Sequence, residues 1–226
     1  MRLAKWVFLP AFLNAQAPPA DAVSVRSVAI EAPTPGGAYS LVTVGLENRS
    51  KKSITAFRVS LTSTFEDGSV RKQQDGFVDL LPLYILGQQD FRPGETYDYR
   101  VSLYGAPTKV EVLVSAVALD DHTVLGSPED ASALLDQRAH NERLLKSVVE
   151  ALKMMIVQSP DPDVLGRSRE RWFSYSDPPN ERDRMLYAVL QSTKGKKASI
   201  EKVIRDSEAC IEAMKRQYVT WGVEHQ

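Results

Sequence analysis

Apolar and polar residues alternate along the first half of this chain and recur at helical spacing along the second. In Tyr39–Asn48, Val42, Val44 and Leu46 share one face of a period-two strand, with Leu41, Thr43, Gly45 and Glu47 on the other. From Phe57 the positions Phe57, Val59, Leu61 and Phe65 point one way and Arg58, Ser60, Thr62 and Thr64 the other. Tyr97, Tyr99, Val101 and Leu103 repeat the pattern against Asp98, Arg100, Ser102 and Tyr104. Turn signals separate these runs: Glu47-Asn48-Arg49-Ser50, Glu66-Asp67-Gly68-Ser69 and Arg92-Pro93-Gly94-Glu95. One apolar face per strand predicts antiparallel sheets that each bury a single side, and two such sheets face to face form a sandwich.

Three stretches depart from the simple alternation. Asp21–Glu31 is a strand whose apolar face changes between Val25 and Val28, which predicts a bulge or a strand that changes sheets. In Ser69–Arg92 a polar run, Arg71–Gly76, gives way to a dense apolar one that includes Phe77, Val78, Leu80, Leu81 and Leu86. This segment is expected to hold another strand and to plug an open end of the sandwich. Within it Leu83, Tyr84 and Ile85 are candidate partner contacts. In Lys109–Asp120, Val110, Val112, Val114, Ala116 and Ala118 share one face, yet Leu113, Val117 and Leu119 make the other apolar too. A strand apolar on both faces is covered on both, so the helix that follows is expected to dock on the face carrying Leu113, Val117 and Leu119.

That helix has a strong start in Ser127-Pro128-Glu129-Asp130: a serine cap, proline at the first helical position and acids in the first turn. Its apolar positions, among them Leu134, Leu135, Leu144, Leu145, Val148, Val149 and Leu152, run on until Pro160 and Pro162 end it. Some 30 residues span about 45 Å, longer than a sandwich face, so part of the helix is expected to project or to fold against the helices after it. Arg167–Tyr175 interleaves arginine with aromatics, and Arg171 and Trp172 are the further candidate partner contacts. Pro178-Pro179 restarts a helix bearing Leu186, Val189 and Leu190, and Ser199 opens a last one with Ile200, Val203, Ile204, Cys210, Ile211 and Met214 on its stripe.

An alternating strand ending in Asn48-Arg49-Ser50, a short basic turn, Ile54, a strand closing on Asp67-Gly68 and a later Pro93-Gly94 together resemble bacterial extracytoplasmic immunoglobulin-like or fibronectin-type modules over about 22–126. The resemblance implies a fold and a compartment, and carries no site residue. The expected fold is therefore α+β, β then α: an antiparallel immunoglobulin-like β-sandwich over 18–127, then a helical region over 128–226 packed partly on the outer sheet.

Composition adds compartment and little chemistry. Arg2 and Lys5, the apolar run Trp6–Leu13 and Ala15-Gln16-Ala17 have the order of a secretory signal over 1–17, with cleavage expected after Ala17 although Pro18 follows. No later stretch is apolar for long enough to span a bilayer, so no transmembrane anchor is expected in the mature chain. A net charge of −1 gives no field to attract nucleic acid, and none is expected as a partner. The single cysteine, Cys210, allows no internal disulfide and lies on an apolar stripe, where an inert thiol is expected. His122 beside Asp120 and Asp121 reads as turn chemistry. The other histidines have no metal-ligand spacing, and no phosphate loop or nucleophile elbow is present. No catalytic, metal or cofactor residue is assigned. The expectation is an exported, non-enzymatic binding or scaffold module with a protein or cell-envelope partner. The alternatives are a hydrolase with its site between the two parts, and a cytoplasmic assembly protein that oligomerises through the long helix.

Overall fold

Period-two alternation decides most of the strand faces, and bulges decide the rest. The computed structural model describes residues 19–80, 91–158 and 180–221, with backbone alone for 73–75 and 217–221. After a short helix α1 (Pro19–Ala22) come β1 (Val23–Glu31), β2 (Tyr39–Asn48), β3 (Ile54–Thr64), β4 (Val70–Asp79), β5 (Thr96–Tyr104), β6 (Lys109–Leu119) and β7 (Val124–Gly126). Three helices follow: α2 (Pro128–Gln158), α3 (Glu181–Thr193) and α4 (Lys197–Trp221). The protein is thus α+β, with its strands in antiparallel sheets and its long helices towards the C-terminus. One sheet has the order β1-β2-β5 and the other β4-β3-β6-β7. The strand expected between Ser69 and Arg92 is β4, and residues 81–90, including Leu83, Tyr84 and Ile85, lie outside the described residues.

The two sheets share one core. Val42, Val44 and Leu46 of β2 meet Phe57, Val59 and Leu61 of β3, with Leu103 of β5 and Val110, Val114 and Val117 of β6. The change of face in β1 is a bulge between Val25 and Ser27.

In β6 the register steps from Val59↔Val114 to Arg58↔Ala116, leaving Ser115 without a partner. That extra residue reverses the phase of the strand. Val110 and Val114, then Val117 and Leu119, face the sandwich core. Ala116 and Ala118 turn outward, where they pack with Ala131, Leu134 and Leu135 of α2 and with Met214 of α4. The expected docking of the helix on this strand therefore occurs, but on alanines instead of Leu113, Val117 and Leu119. Leu113 is 63% exposed. Small side chains let the helix approach the sheet closely.

Ser127 caps α2, its Oγ accepting from the Asp130 amide at 3.1 Å. The first turns of α2 lie on the four-stranded sheet, and its later turns, from Leu145 to Leu152, pack in a second core with Leu186, Val189 and Leu190 of α3 and Ile200, Val203 and Ile204 of α4. This division accounts for its length: one end belongs to the sheet, the other to a helical layer. A Lys153–Glu208 contact at 2.6 Å ties α2 to α4 on the surface.

Candidate functional site

At one side of the sandwich the edge strand of each sheet opens into a common cleft. Phe77, Val78 and Asp79 of β4 stand opposite Tyr97–Arg100 of β5, with Gln137 and Asn141 of α2 and Met185 of α3 completing a hollow of about 640 Å³. That volume lies within the range of small-ligand and peptide pockets. The cleft is the place where sheet edges and helical layer meet.

Its inner wall is aromatic. Tyr97 and Tyr99 project from β5 into the sandwich, their rings edge-on to Phe57 at 5.5 and 6.4 Å between centroids. Such contacts fix rings more firmly than area burial alone. Burial pushes the Tyr97 phenol above its ordinary range; burial, then the neighbouring Tyr97, does the same for Tyr99. Gly76 makes room for this arrangement. A Cβ there would lie 1.9 Å from the Tyr99 hydroxyl oxygen, so any side chain at 76 would have to displace the ring.

The floor is held by a buried ion pair. Arg138 lies on the sheet-facing stripe of α2 and is 0% exposed, and Asp79 is nearly as buried. The guanidinium donates to both carboxylate oxygens, Nη2 to Oδ1 at 2.9 Å and Nε to Oδ2 at 3.2 Å. It also donates to the Thr55 carbonyl at 2.8 Å and to Thr55 Oγ1 at 3.2 Å. Thr55 is skipped in the register where Ile54↔Leu119 gives way to Ala56↔Ala118, so its carbonyl is off the regular ladder and open to another donor. One planar fork thus joins β3, β4 and α2. This is arginine geometry, which a lysine would not reproduce. A longer link at the start of the helix, Arg58 to Asp130 at 3.8 Å, supports the same docking.

The rim is polar and unengaged. Among the described residues no hydrogen bond or ion pair occupies the side chains of Asp98, Arg100, Gln137 or Asn141, or the hydroxyls of Tyr97 and Tyr99. Gln137 and Asn141 are one turn apart on α2 and so project on the same side.

A second, smaller hollow of about 300 Å³ lies where α2 begins, lined by Arg58, Ser60, Lys72, Leu113, Ser115, Glu129 and Asp130. The Ser115 hydroxyl, at the bulge in β6, has no hydrogen-bond partner among the described residues. Arg58 and Lys72 line this hollow together with Glu129 and Asp130, so it has no single charge preference.

The candidate contacts read from the sequence, Leu83, Tyr84, Ile85, Arg171 and Trp172, all lie outside the described residues. His122 sits in a turn with φ of 72°, where Asp121 accepts from the Thr123 amide and hydroxyl and pairs with Lys52. His140 and Glu142 diverge: the first meets Glu181 at 3.0 Å on the surface, the second is buried against Lys146 at 2.5 Å. Cys210 is a buried thiol in the helical core, outside any disulfide. Among the described residues no group of three or more His, Cys, Asp and Glu is placed to hold a metal ion. No helix among them is long and apolar enough to cross a membrane.

The cleft itself is absent from the sequence reading because four separate segments build it. Two signals pointed towards it: Arg138 and Glu142 fall on an otherwise apolar helical stripe, and tyrosines occupy inward positions of β5.

No family model matches the chain, and no curated protein matches it. Among solved structures it is similar to a hypothetical protein from Peptoclostridium difficile 630, at 11% identity and a TM-score of 0.32, over 47% of this chain and 87% of that one. A protein from Bordetella pertussis described as ApaA is similar at 16% identity and a TM-score of 0.27, over 47% of this chain and 94% of that one. At these scores the likeness defines no shared fold and assigns no function.

Proposed function

We propose that this chain is an exported, non-enzymatic binding module that takes its partner in the cleft between β4, β5 and α2. The observation that carries the reading is the set of polar side chains around that cleft that have no partner among the described residues. Asp98, Arg100, Gln137 and Asn141 line a concave surface with an aromatic inner wall. A few polar groups on an apolar, pre-formed hollow are what orients a bound ligand.

Two further features support the compartment and the fold type. Arg2, Lys5 and the run to Ala17 have the order of a secretory signal. Three strands in the order β1-β2-β5 against four in the order β4-β3-β6-β7, with the chain crossing between sheets three times, agree with an immunoglobulin-like or fibronectin-type sandwich. In this reading the helices are not an appendage. They form one wall of the cleft and hold it through Arg138.

The test is a combined peptide and glycan array probed with the full chain and with Asn141→Arg, which fills the cleft from a half-buried position on α2. A ligand bound by the parent and weakened at least about tenfold by the variant, a loss of about 1.4 kcal/mol, is the expected result. Ligands held equally by both proteins, or turnover of an ester, peptide or glycoside probe, would overturn the reading, the second in favour of a hydrolase.

A further inference from the structure

We infer that the occupant of the cleft is an extended polypeptide segment, added as an antiparallel strand to the free edge of β5 and held from the other side by Gln137 and Asn141. This rests on the cleft being the binding surface and names the class of ligand it takes.

The first observation is the edge. β5 pairs with β2 on one side, and among the described residues no strand pairs with the other. In an antiparallel ladder only alternate residues bond a given neighbour. The Asn48 amide donates to the Glu95 carbonyl at 3.0 Å. Alternation from that bond places the β2-directed backbone groups on Tyr97 and Tyr99, across from Leu46 and Val44. The N–H and C=O groups of Asp98 and Arg100 are left turned to the open edge, where both residues line the cleft. An edge of this kind is a template for a further strand.

The second observation is the spacing across the cleft. Gln137 and Asn141 are four residues apart on α2, about 6 Å along the helix axis. Two residues of an extended strand rise about 6.8 Å. Side-chain amides, each offering a donor and an acceptor, at nearly this interval match the repeat of an extended backbone. A strand lying between β5 and α2 would meet hydrogen-bonding groups on both sides. A compact small molecule has no such repeat.

The third is charge. Asp98 and Arg100 are exposed neighbours on one face of the strand. Opposite charges directly across an antiparallel pair are favourable and like charges unfavourable. Reading from its N-terminus, an added antiparallel strand meets Arg100 before Asp98. Its preferred order is therefore acid, apolar, base. The middle side chain points inward, towards Tyr99, Phe77 and Met185.

The experiment is selection of a displayed library of random nine-residue peptides on the full chain and on a double variant, Asp98→Arg with Arg100→Glu. Both positions are exposed, and circular dichroism checks that the variant folds. The expected result is enrichment of acid–apolar–base peptides on the parent and base–apolar–acid peptides on the variant, with each preferred order about tenfold tighter than its reverse. Hydrogen exchange at the Asp98 and Arg100 amides should slow when a selected peptide binds, and N-methylation of the peptide amides that face β5 should abolish binding. No enrichment, an order preference the double variant leaves unchanged, or binding that survives N-methylation would overturn strand addition. A glycan that binds in the cleft and is lost in Asn141→Arg, with no peptide selected, would overturn it too while leaving the cleft as the binding surface.

Discussion

Replacing Asp79 with alanine should be among the most damaging single changes in this protein. The side chain is nearly fully buried and receives both arms of Arg138, at 2.9 and 3.2 Å. Its removal leaves a guanidinium that is 0% exposed facing a space that held a carboxylate. Breaking a buried pair by removing one partner costs about 3–5 kcal/mol, most of it the cost of leaving the other charge uncompensated. Domains are stable by only about 5–15 kcal/mol, and for a chain of this size such a loss lowers the melting temperature by roughly 6–20 °C. Urea unfolding followed by far-UV circular dichroism, for the helices, and by tyrosine fluorescence, for the sandwich, measures it. The double change Asp79→Leu with Arg138→Met removes both charges together and should recover most of the loss, because the single costs are not additive across a contact. If Asp79→Ala costs less than about 1 kcal/mol, the value of an exposed pair, the pair is not the desolvated link described above. If the double variant costs the sum of the two single ones, the charges are not coupled.

Three further outcomes follow from the same structure. A chain ending at Ser127 leaves Ala56, Ala116, Ala118 and Val124 without their helical cover and Asp79 without Arg138; it should self-associate in sedimentation, and a stable monomer would contradict the docking. Gly76→Ala places a methyl group 1.9 Å from the Tyr99 hydroxyl and should cost about 1–3 kcal/mol in denaturant unfolding, as overpacking does. Combining it with Tyr99→Phe, which removes the nearest clashing atom, should cost less than the sum of the two changes. Tyr97 and Tyr99 hold their protons more tightly folded than unfolded, because burial opposes the phenolate. Their contribution to stability is therefore complete below about pH 10, the unfolded value, and is lost as pH rises through the higher folded one. Spectrophotometric titration should show the Tyr97 and Tyr99 phenols titrating late, and in urea that delay should vanish.

How much of this was readable beforehand depended on whether a feature was local. The inward sets Val42, Val44, Leu46 and Tyr97, Tyr99, Leu103 follow from alternation, because period two is a property of the strand itself. The start of α2 at Ser127-Pro128 and the bulge in β1 were likewise legible, each from a few adjacent residues. The faces of β6 were not. A single extra residue at Ser115 exchanges Val117 and Leu119 with Ala116 and Ala118, and one serine within the apolar run Val112–Leu119 does not by itself mark a turn of phase. The Arg138–Asp79 pair joins residues 59 apart in the chain, so only the anomaly of a charge on an apolar stripe announced it. The cleft lay further from view still, because its polar rim is assembled from β5 and α2 and each contribution alone reads as ordinary solvated surface. Strand addition depends on which backbone groups of β5 remain unpaired, and that is decided by the order of strands in the sheet.

Hydrogen–deuterium exchange on the full chain, with and without the tightest ligand from the peptide and glycan array, tests the central claim most directly. The account predicts slowed exchange at 77–79, 97–100 and 137–141, three of the four backbone segments that build the cleft. The outer face of the three-stranded sheet serves as the internal comparison, since it carries the exposed edge-on pair Tyr39 and Tyr104, 5.7 Å between centroids. Protection confined to that face, with the cleft segments exchanging as in the free protein, would contradict the account.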